Sequence, residues 1–218
     1  MRIGIVAATD FEIRPVIEFI ALQPATSAHQ FSVLITGVGI LAATHHLTAQ
    51  LAHHRFDCLL QAGIGGCFAN RFALMDVVKI EEEVVGDLGV QEDEFRDVFD
   101  MGFARAGQFP FTGKSLINPY MKQWAPFQLP AAKGITVNEI STHAQRINTL
   151  ITKYESSIES MEGAAFHYVC LHHAVPFLQI RSVSNEVGER DKAKWKLRGA
   201  IETLNIRLIR IIEQLTAQ

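Results

Sequence analysis

The sequence predicts an α/β fold: a mostly parallel sheet with helices on both faces. Three observations carry this. Short apolar runs of strand length alternate with stretches whose apolar residues recur at three- and four-residue spacing. Most runs close on glycine or a small polar residue, where a strand gives way to a turn. The 218 residues, 48 % hydrophobic and 20 % charged, suit one globular domain over 1–218 that buries a core without disulfide or metal staples.

Residues 2–8 form the first run, closed by Thr9-Asp10. A charge follows too soon for a signal peptide, so the run reads as a buried strand. Phe11, Val16, Phe19 and Ile20 then mark a helix over 11–22. Phe31 to Ile35 is a second strand, ended by Gly37 and Gly39, and a helix follows from about Ile40 to His54. Asp57 to Gln61 is a third strand, closed by Gly63, Gly65 and Gly66. Leu74 to Val85 reads as a long strand, with Glu81-Glu82-Glu83 expected on a solvated edge. Residues 86–127 mix acids, Phe, Gly and Pro without a period, as a lid or interface segment would. Helices are expected at about 141–154, 161–173 and 191–216, with a strand at Phe177 to Val183. The last helix carries one stripe: Leu197, Ile201, Leu204, Leu208, Ile211 and Leu215.

Charge and composition narrow the function. Twenty Lys and Arg stand against 23 Asp and Glu, a net charge of −3, with no basic run, so no nucleic-acid partner is expected. No apolar stretch approaches the ~18 residues of a membrane span. Cys58, Cys67 and Cys170 are odd in number and unpaired in spacing, which reads as reduced thiols in the cytoplasm. No H-E-x-x-H and no Cys/His zinc spacing occurs, and His45-His46, His53-His54 and His172-His173 read as solvated pairs. No metal or cofactor is expected.

In such sheets ligands bind beyond the carboxyl ends of the strands. Weight therefore falls on Asp10 to Glu12, Gly37 to Gly39, Gly63 to Gly66 and Ser184 to Glu186. Gly63-Ile64-Gly65-Gly66 either lets a ligand approach the backbone or makes a tight strand-to-helix turn. It is neither a P-loop nor G-x-G-x-x-G. Glu12 lies just past the first strand. Glu162 opens a helix in Ser160-Met161-Glu162-Gly163-Ala164-Ala165, where the helix dipole alone also favours an acid. Asn185 follows an apolar strand, where its amide could face a ligand. This architecture would bring these three ends to one cleft.

In order, these residues resemble the purine and uridine phosphorylase superfamily, in its nucleosidase branch. The resemblance rests on Ile3-Gly4-Ile5-Val6-Ala7-Ala8 with Glu12, Thr36-Gly37-Val38-Gly39, Ala62-Gly63-Ile64-Gly65-Gly66, Met161-Glu162-Gly163-Ala164-Ala165 and Arg181-Ser182-Val183-Ser184-Asn185. Within the branch, Asp87-Leu88-Gly89-Val90, Gly134-Ile135-Thr136-Val137-Asn138, and Ser184 to Asp191 followed by Trp195 are most similar to the futalosine hydrolases of menaquinone biosynthesis. Adenine-specific nucleosidases usually carry Asp at the place of Asn185 and Glu at the place of Ser160. Both departures speak against an adenine substrate.

The resemblance implies a three-layer α/β domain with a mixed, mostly parallel sheet, acting as a homo-oligomer (a dimer or larger) without metal or cofactor. It also implies roles. Glu12 would hold and deprotonate the attacking water. Glu162 would grip a ribose hydroxyl, with Met161 packed on the sugar. Gly63, Ile64 and Gly65 would border the substrate, Asn185 would contact the purine, and the segment from Phe103 to Pro110 would cover the site, its own or a partner's across a subunit interface.

The chemistry suits these residue types. N-glycosidic hydrolysis passes through an oxocarbenium-like cation, which a carboxylate stabilises while it accepts the water's proton. An amide offers an acceptor to N7–H and a donor to a 6-oxo group, but meets a 6-amino group donor to donor. Leu59-Leu60-Gln61-Ala62 puts no Arg beside the second glycine segment, and Glu12 would repel phosphate, so hydrolysis is expected over phosphorolysis. The competing readings are a methylthioadenosine/adenosylhomocysteine nucleosidase, a purine nucleoside phosphorylase and a non-catalytic nucleoside-binding protein.

Overall fold

A computed structural model describes residues 1–23 and 29–217. Its elements are β1 (Arg2–Ala7), α1 (Asp10–Ala21), β2 (Gln30–Ile35), α2 (Ile40–His53), β3 (Cys58–Cys67) and β4 (Val77–Val85). The short strands β5 (Gly89–Gln91), β6 (Phe95–Asp97) and β7 (Leu116–Ile117) follow, then a 3₁₀ helix at Met121–Phe127. The chain continues through β8 (Ala131–Thr136), α3 (Ala144–Tyr154), β9 (Ile158–Ser160), α4 (Gly163–His172), β10 (Phe177–Glu186) and α5 (Leu197–Thr216).

The sheet is mixed and mostly parallel. β1 lies between β2 and β3, and β10 lies between β3 and β4. β4 then pairs with β8, and β8 with β9. The pairings of β10 with β4 and of β9 with β3 are antiparallel. Because β9 returns to the far end of β3, the strands β3, β10, β4, β8 and β9 close into a ring.

Side-chain alternation along the strands sorts the core onto two faces. Ile3, Ile5 and Leu60 pack with Ile13 and Val16 of α1 and with Leu204, Leu208 and Ile211 of α5. Val6, Leu59 and Phe177 point the other way, onto Leu47 and Leu51 of α2 and Phe166 and Val169 of α4. A further cluster joins Leu150 and Tyr154 of α3 to Phe68, Ile135 and Val187. Each such Leu, Ile or Phe contributes about 1.5–3 kcal/mol by leaving water. Among the described residues no helix is long and apolar enough to cross a membrane.

The structure departs from the sequence reading in four places. First, β3 does not stop at Gln61. It runs on through Gly63, Gly65 and Gly66, paired with Arg181, Val183 and Asn185 of β10, so this segment is a strand rather than a turn. The glycines make room for neighbours: a Cβ on Gly65 would lie 2.9 Å from the Glu159 carbonyl oxygen, and one on Gly63 would fall on Arg181 Nη1. Second, β8 and β9 have weak apolar patterns, and pairing to β4 and β3 makes them strands. Third, α5 begins at Leu197, after a separate short 3₁₀ helix at Lys192–Lys194. Fourth, Glu83 is not on a solvated edge, because β4 is held between β10 and β8.

Glu83 is fully buried. Its Oε1 accepts from Gln179 Nε2 (2.8 Å) and its Oε2 from Thr136 Oγ1 (2.9 Å). Burial pushes its carboxyl from 4.5 up to about 7, against the pull of those donors and of Arg181. The folded value lies above the unfolded one, so the stabilising contribution is full below about pH 4.5 and is lost as pH rises through 7. We expect unfolding free energy, measured in urea from pH 5 to 8, to fall by on the order of 2 kcal/mol from this group. Glu83→Gln should flatten that slope, and equal slopes in both proteins would exclude Glu83 as its source.

Candidate active site

A cleft of about 320 Å³ opens where β1, β3, β9 and β10 end. It brings together Glu12, Ile64, Gly65, Met161, Glu162 and Asn185. Gly63 lies behind its wall, where the missing side chain leaves space for Arg181 and Glu12. The segment from Phe103 to Pro110 does not reach this chain's own cleft. Its neighbourhood packs on α4, with Phe109 against His172 and Phe111 against Tyr168.

Glu12 is buried in the first turn of α1, and three donors fix its carboxylate. Thr9, the N-cap, gives its N–H (3.2 Å) and its hydroxyl (3.0 Å) to Oε2, and Ile64 gives its N–H to Oε1 (3.1 Å). The helix breaks just beyond. Ile13 has non-helical angles (φ −125°, ψ 19°), and Pro15 brings no N–H. Asn205, from the middle of the apolar stripe on α5, repairs the gap. Its Nδ2 donates to the Glu12 carbonyl (2.8 Å), and its Oδ1 accepts from Val16 N–H (3.2 Å). Asn205→Leu would leave both backbone groups buried and unpaired. It should lower unfolding free energy by about 2 kcal/mol or more. A loss within ~0.5 kcal/mol, the range of an ordinary surface change, would mean the clamp is not needed.

Glu162 is the N-cap of α4, and it also reaches the start of α2, where its Oε1 accepts from Gly39 N–H (3.0 Å). Its Oε2 lies 3.7 Å from Arg181 Nη2. Arg181 is 2 % exposed; its Nη1 donates to the Ile64 carbonyl (3.4 Å), while its Nε and Nη2 have no hydrogen-bond partner. A buried cation thus lies behind the cleft, ion-paired to Glu162, with Glu12 across Gly63 from it. Sequence reasoning missed Arg181 as a site residue, although a lone charge inside the apolar run Phe177 to Val183 was the available signal.

Asn185 is half-buried at the end of β10. Its Oδ1 accepts from Ser184 Oγ (2.8 Å), and its Nδ2 donates to the Glu186 carbonyl (2.9 Å). One lone pair and one N–H remain for a ligand. The cleft also gains residues to which the sequence reading gave no role in the site: Val137, Ile140 and Glu159, with Phe11 and Val38 at an exposed apolar rim. Burial raises the Glu159 carboxyl above its ordinary value, opposed by its bond to Ser141 and by Arg146.

The family model described as "Phosphorylase superfamily" matches residues 2–216. The chain belongs to the phosphorylase superfamily. A futalosine hydrolase of Thermus thermophilus is 30 % identical over 178 residues, spanning 80 % of this chain and 77 % of that protein. A 5′-methylthioadenosine/S-adenosylhomocysteine nucleosidase of Shewanella sediminis is 26 % identical over 201 residues, spanning 85 % and 86 %. The native structure of a Helicobacter pylori futalosine hydrolase shares the fold, with a TM-score of 0.80, 19 % identity and 98 % of each chain covered.

For a member of this superfamily, the question of phosphate turns on free positive charge. The sequence near Gly63 offers no Arg, but β10 delivers Arg181 to that point in space. Its charge is met by Glu162, and Glu12 lies across Gly63 from it. A phosphate dianion would enter a site with more negative than positive charge, whereas a ribosyl cation would be stabilised there.

Proposed function

We propose that this protein is a purine nucleoside N-ribohydrolase that cleaves futalosine to release hypoxanthine, on the futalosine route to menaquinone. The observation that carries the reading is that two fixed carboxylates, Glu12 and Glu162, line one cleft with the neutral amide of Asn185, while Arg181 is ion-paired to Glu162 behind its wall. The similarity to futalosine hydrolases supports it.

Glu12 holds the attacking water. Its Oε1 keeps one lone pair beyond that taken by Ile64, while Oε2 accepts from both donors of Thr9, and a carboxylate there accepts the water's proton as the C–N bond breaks. Arg181, buried behind the cleft wall, holds Glu162 in place through their ion pair. Glu162 binds a ribose hydroxyl, Met161 packs on the sugar, and both carboxylates stabilise the cation that forms. Asn185 turns its remaining lone pair to N7–H and its remaining N–H to the 6-oxo group. The purine leaves as it gains a proton at N7, supplied by water because an amide has none to give.

We further propose that one domain spans 1–218 and that the protein works in the cytoplasm as a homo-oligomer. The buried, unpaired Cys58, Cys67 and Cys170 and the exposed apolar residues Val38, Leu41, Phe103 and Phe109 support this. The deciding experiment is a base-release panel with futalosine, methylthioadenosine and adenosylhomocysteine, each with and without phosphate. Hypoxanthine release independent of phosphate is expected. Adenine release would favour the alternative nucleosidase, phosphate dependence a phosphorylase, and binding without release a non-catalytic role.

A further inference from the structure

Glu159 is 6 % exposed, lines the cleft and belongs to none of the roles above. Its Oε1 accepts the Ser141 backbone N–H at 3.2 Å. Its Oε2 is buried without a hydrogen-bond partner. A buried carboxyl oxygen of this kind is costly to keep unless a ligand brings a donor to it.

The strand register says where that ligand would lie. Gly66 of β3 pairs with Asn185 on one side and with Glu159 on the other. Registered neighbours present their side chains on the same face of a sheet. A Cβ on Gly66 would stand 3.4 Å from Asn185 Nδ2, which fixes that face as the one Asn185 uses. Asn185 and Glu159 therefore rise on either side of a bare glycine. Two strand spacings separate their backbones by about 10 Å, room for one planar heterocycle between the side-chain tips. Val137 and Ile140 supply apolar surface beside it.

We propose that Glu159 is a specificity-determining residue that accepts N1–H of a 6-oxopurine, beside Asn185 at N7 and position 6. The proposal rests on the purine nucleoside reading of the cleft and deepens it. In a 6-oxopurine N1 carries a hydrogen, which Oε2 accepts. In a 6-aminopurine N1 carries a lone pair, which faces the carboxylate acceptor to acceptor. Asn185 and Glu159 together match three adjacent groups of one base and oppose those of the other.

Glu159→Gln gives a test with a defined sign. Ser141 N–H still requires an acceptor, so the amide oxygen stays on Ser141 and the NH₂ turns to the cleft. That donor opposes N1–H and suits the N1 lone pair. For 6-oxo and 6-amino nucleosides sharing one 5′ substituent, the ratio of kcat/KM should shift toward the amino substrate by about tenfold or more. Calorimetric binding of free hypoxanthine and adenine should shift the same way. Glu159→Asp, which withdraws the carboxylate by one methylene, should lower the ratio less. On the unaltered protein, 1-methylhypoxanthine, which lacks N1–H, should bind at least about tenfold more weakly than hypoxanthine. Unchanged ratios in the variants, or equal affinity for the two free bases, would overturn the proposal. Failure of the functional reading looks different: the unaltered enzyme would then release no hypoxanthine at all.

Discussion

Glu12→Gln is expected to lower kcat by about 10²–10⁴-fold while binding of free hypoxanthine stays within about twofold. Both carboxylate oxygens face donors, Oε1 the Ile64 N–H and Oε2 the N–H and hydroxyl of Thr9. A glutamine can satisfy only one of these sets with its oxygen, and its NH₂ meets the other donor to donor. The amide is also no base, so the attacking water keeps its proton until late in the reaction. Thermal unfolding measured alongside separates catalysis from the loss of a helix cap, worth about 1 kcal/mol. A folded variant that retains most of its turnover would remove Glu12 from the mechanism.

The sequence made the layers of this fold legible because period and punctuation are local. Residues such as Leu59 and Leu60, or Leu204 and Leu208, declare their faces without knowledge of their partners. What stayed hidden depends on pairing across the chain. The tract from Gly63 to Gly66 looks like a turn in isolation, and becomes a strand because β10 lies beside it in register. Glu83 looks solvated among its acidic neighbours, and is buried because β4 sits inside the sheet.

The site divides the same way. Glu12, Glu162 and Asn185 follow strands or open helices, so topology alone predicts that they meet. Arg181, Glu159 and Asn205 lie within elements. Arg181 and Asn205 were visible only as polar residues in apolar stretches, and Glu159, among Ser156, Ser157, Ser160 and Glu162, gave not even that signal; each partner was set by chain contacts such as that of Asn205 with Glu12, 193 residues away in sequence.

Glu162→Gln should cost more than one contact. The glutamine oxygen is expected to stay on Gly39 N–H, the bond that ties Glu162 to the start of α2. Its NH₂ then faces Arg181 Nη2, where Oε2 now lies 3.7 Å away. A buried guanidinium loses its closest counter-charge, and breaking a buried pair on one side costs about 3–5 kcal/mol. Part of that loss appears as lowered stability, and part as a shift of Arg181 in the space that Gly63 leaves it beside Glu12. The proposed contact with the ribose is lost as well, together with one of the two charges that favour the ribosyl cation. The kcat/KM for the nucleoside should therefore fall by about 10²-fold or more. Free hypoxanthine touches neither the sugar site nor Arg181 in this arrangement, and its affinity should change less than about threefold. Kinetics on the nucleoside and calorimetry with the free base, both well below the variant's own Tm, make the comparison. Equal losses for nucleoside and base would assign Glu162 to the helix ends it caps and deny it a place at the ribose.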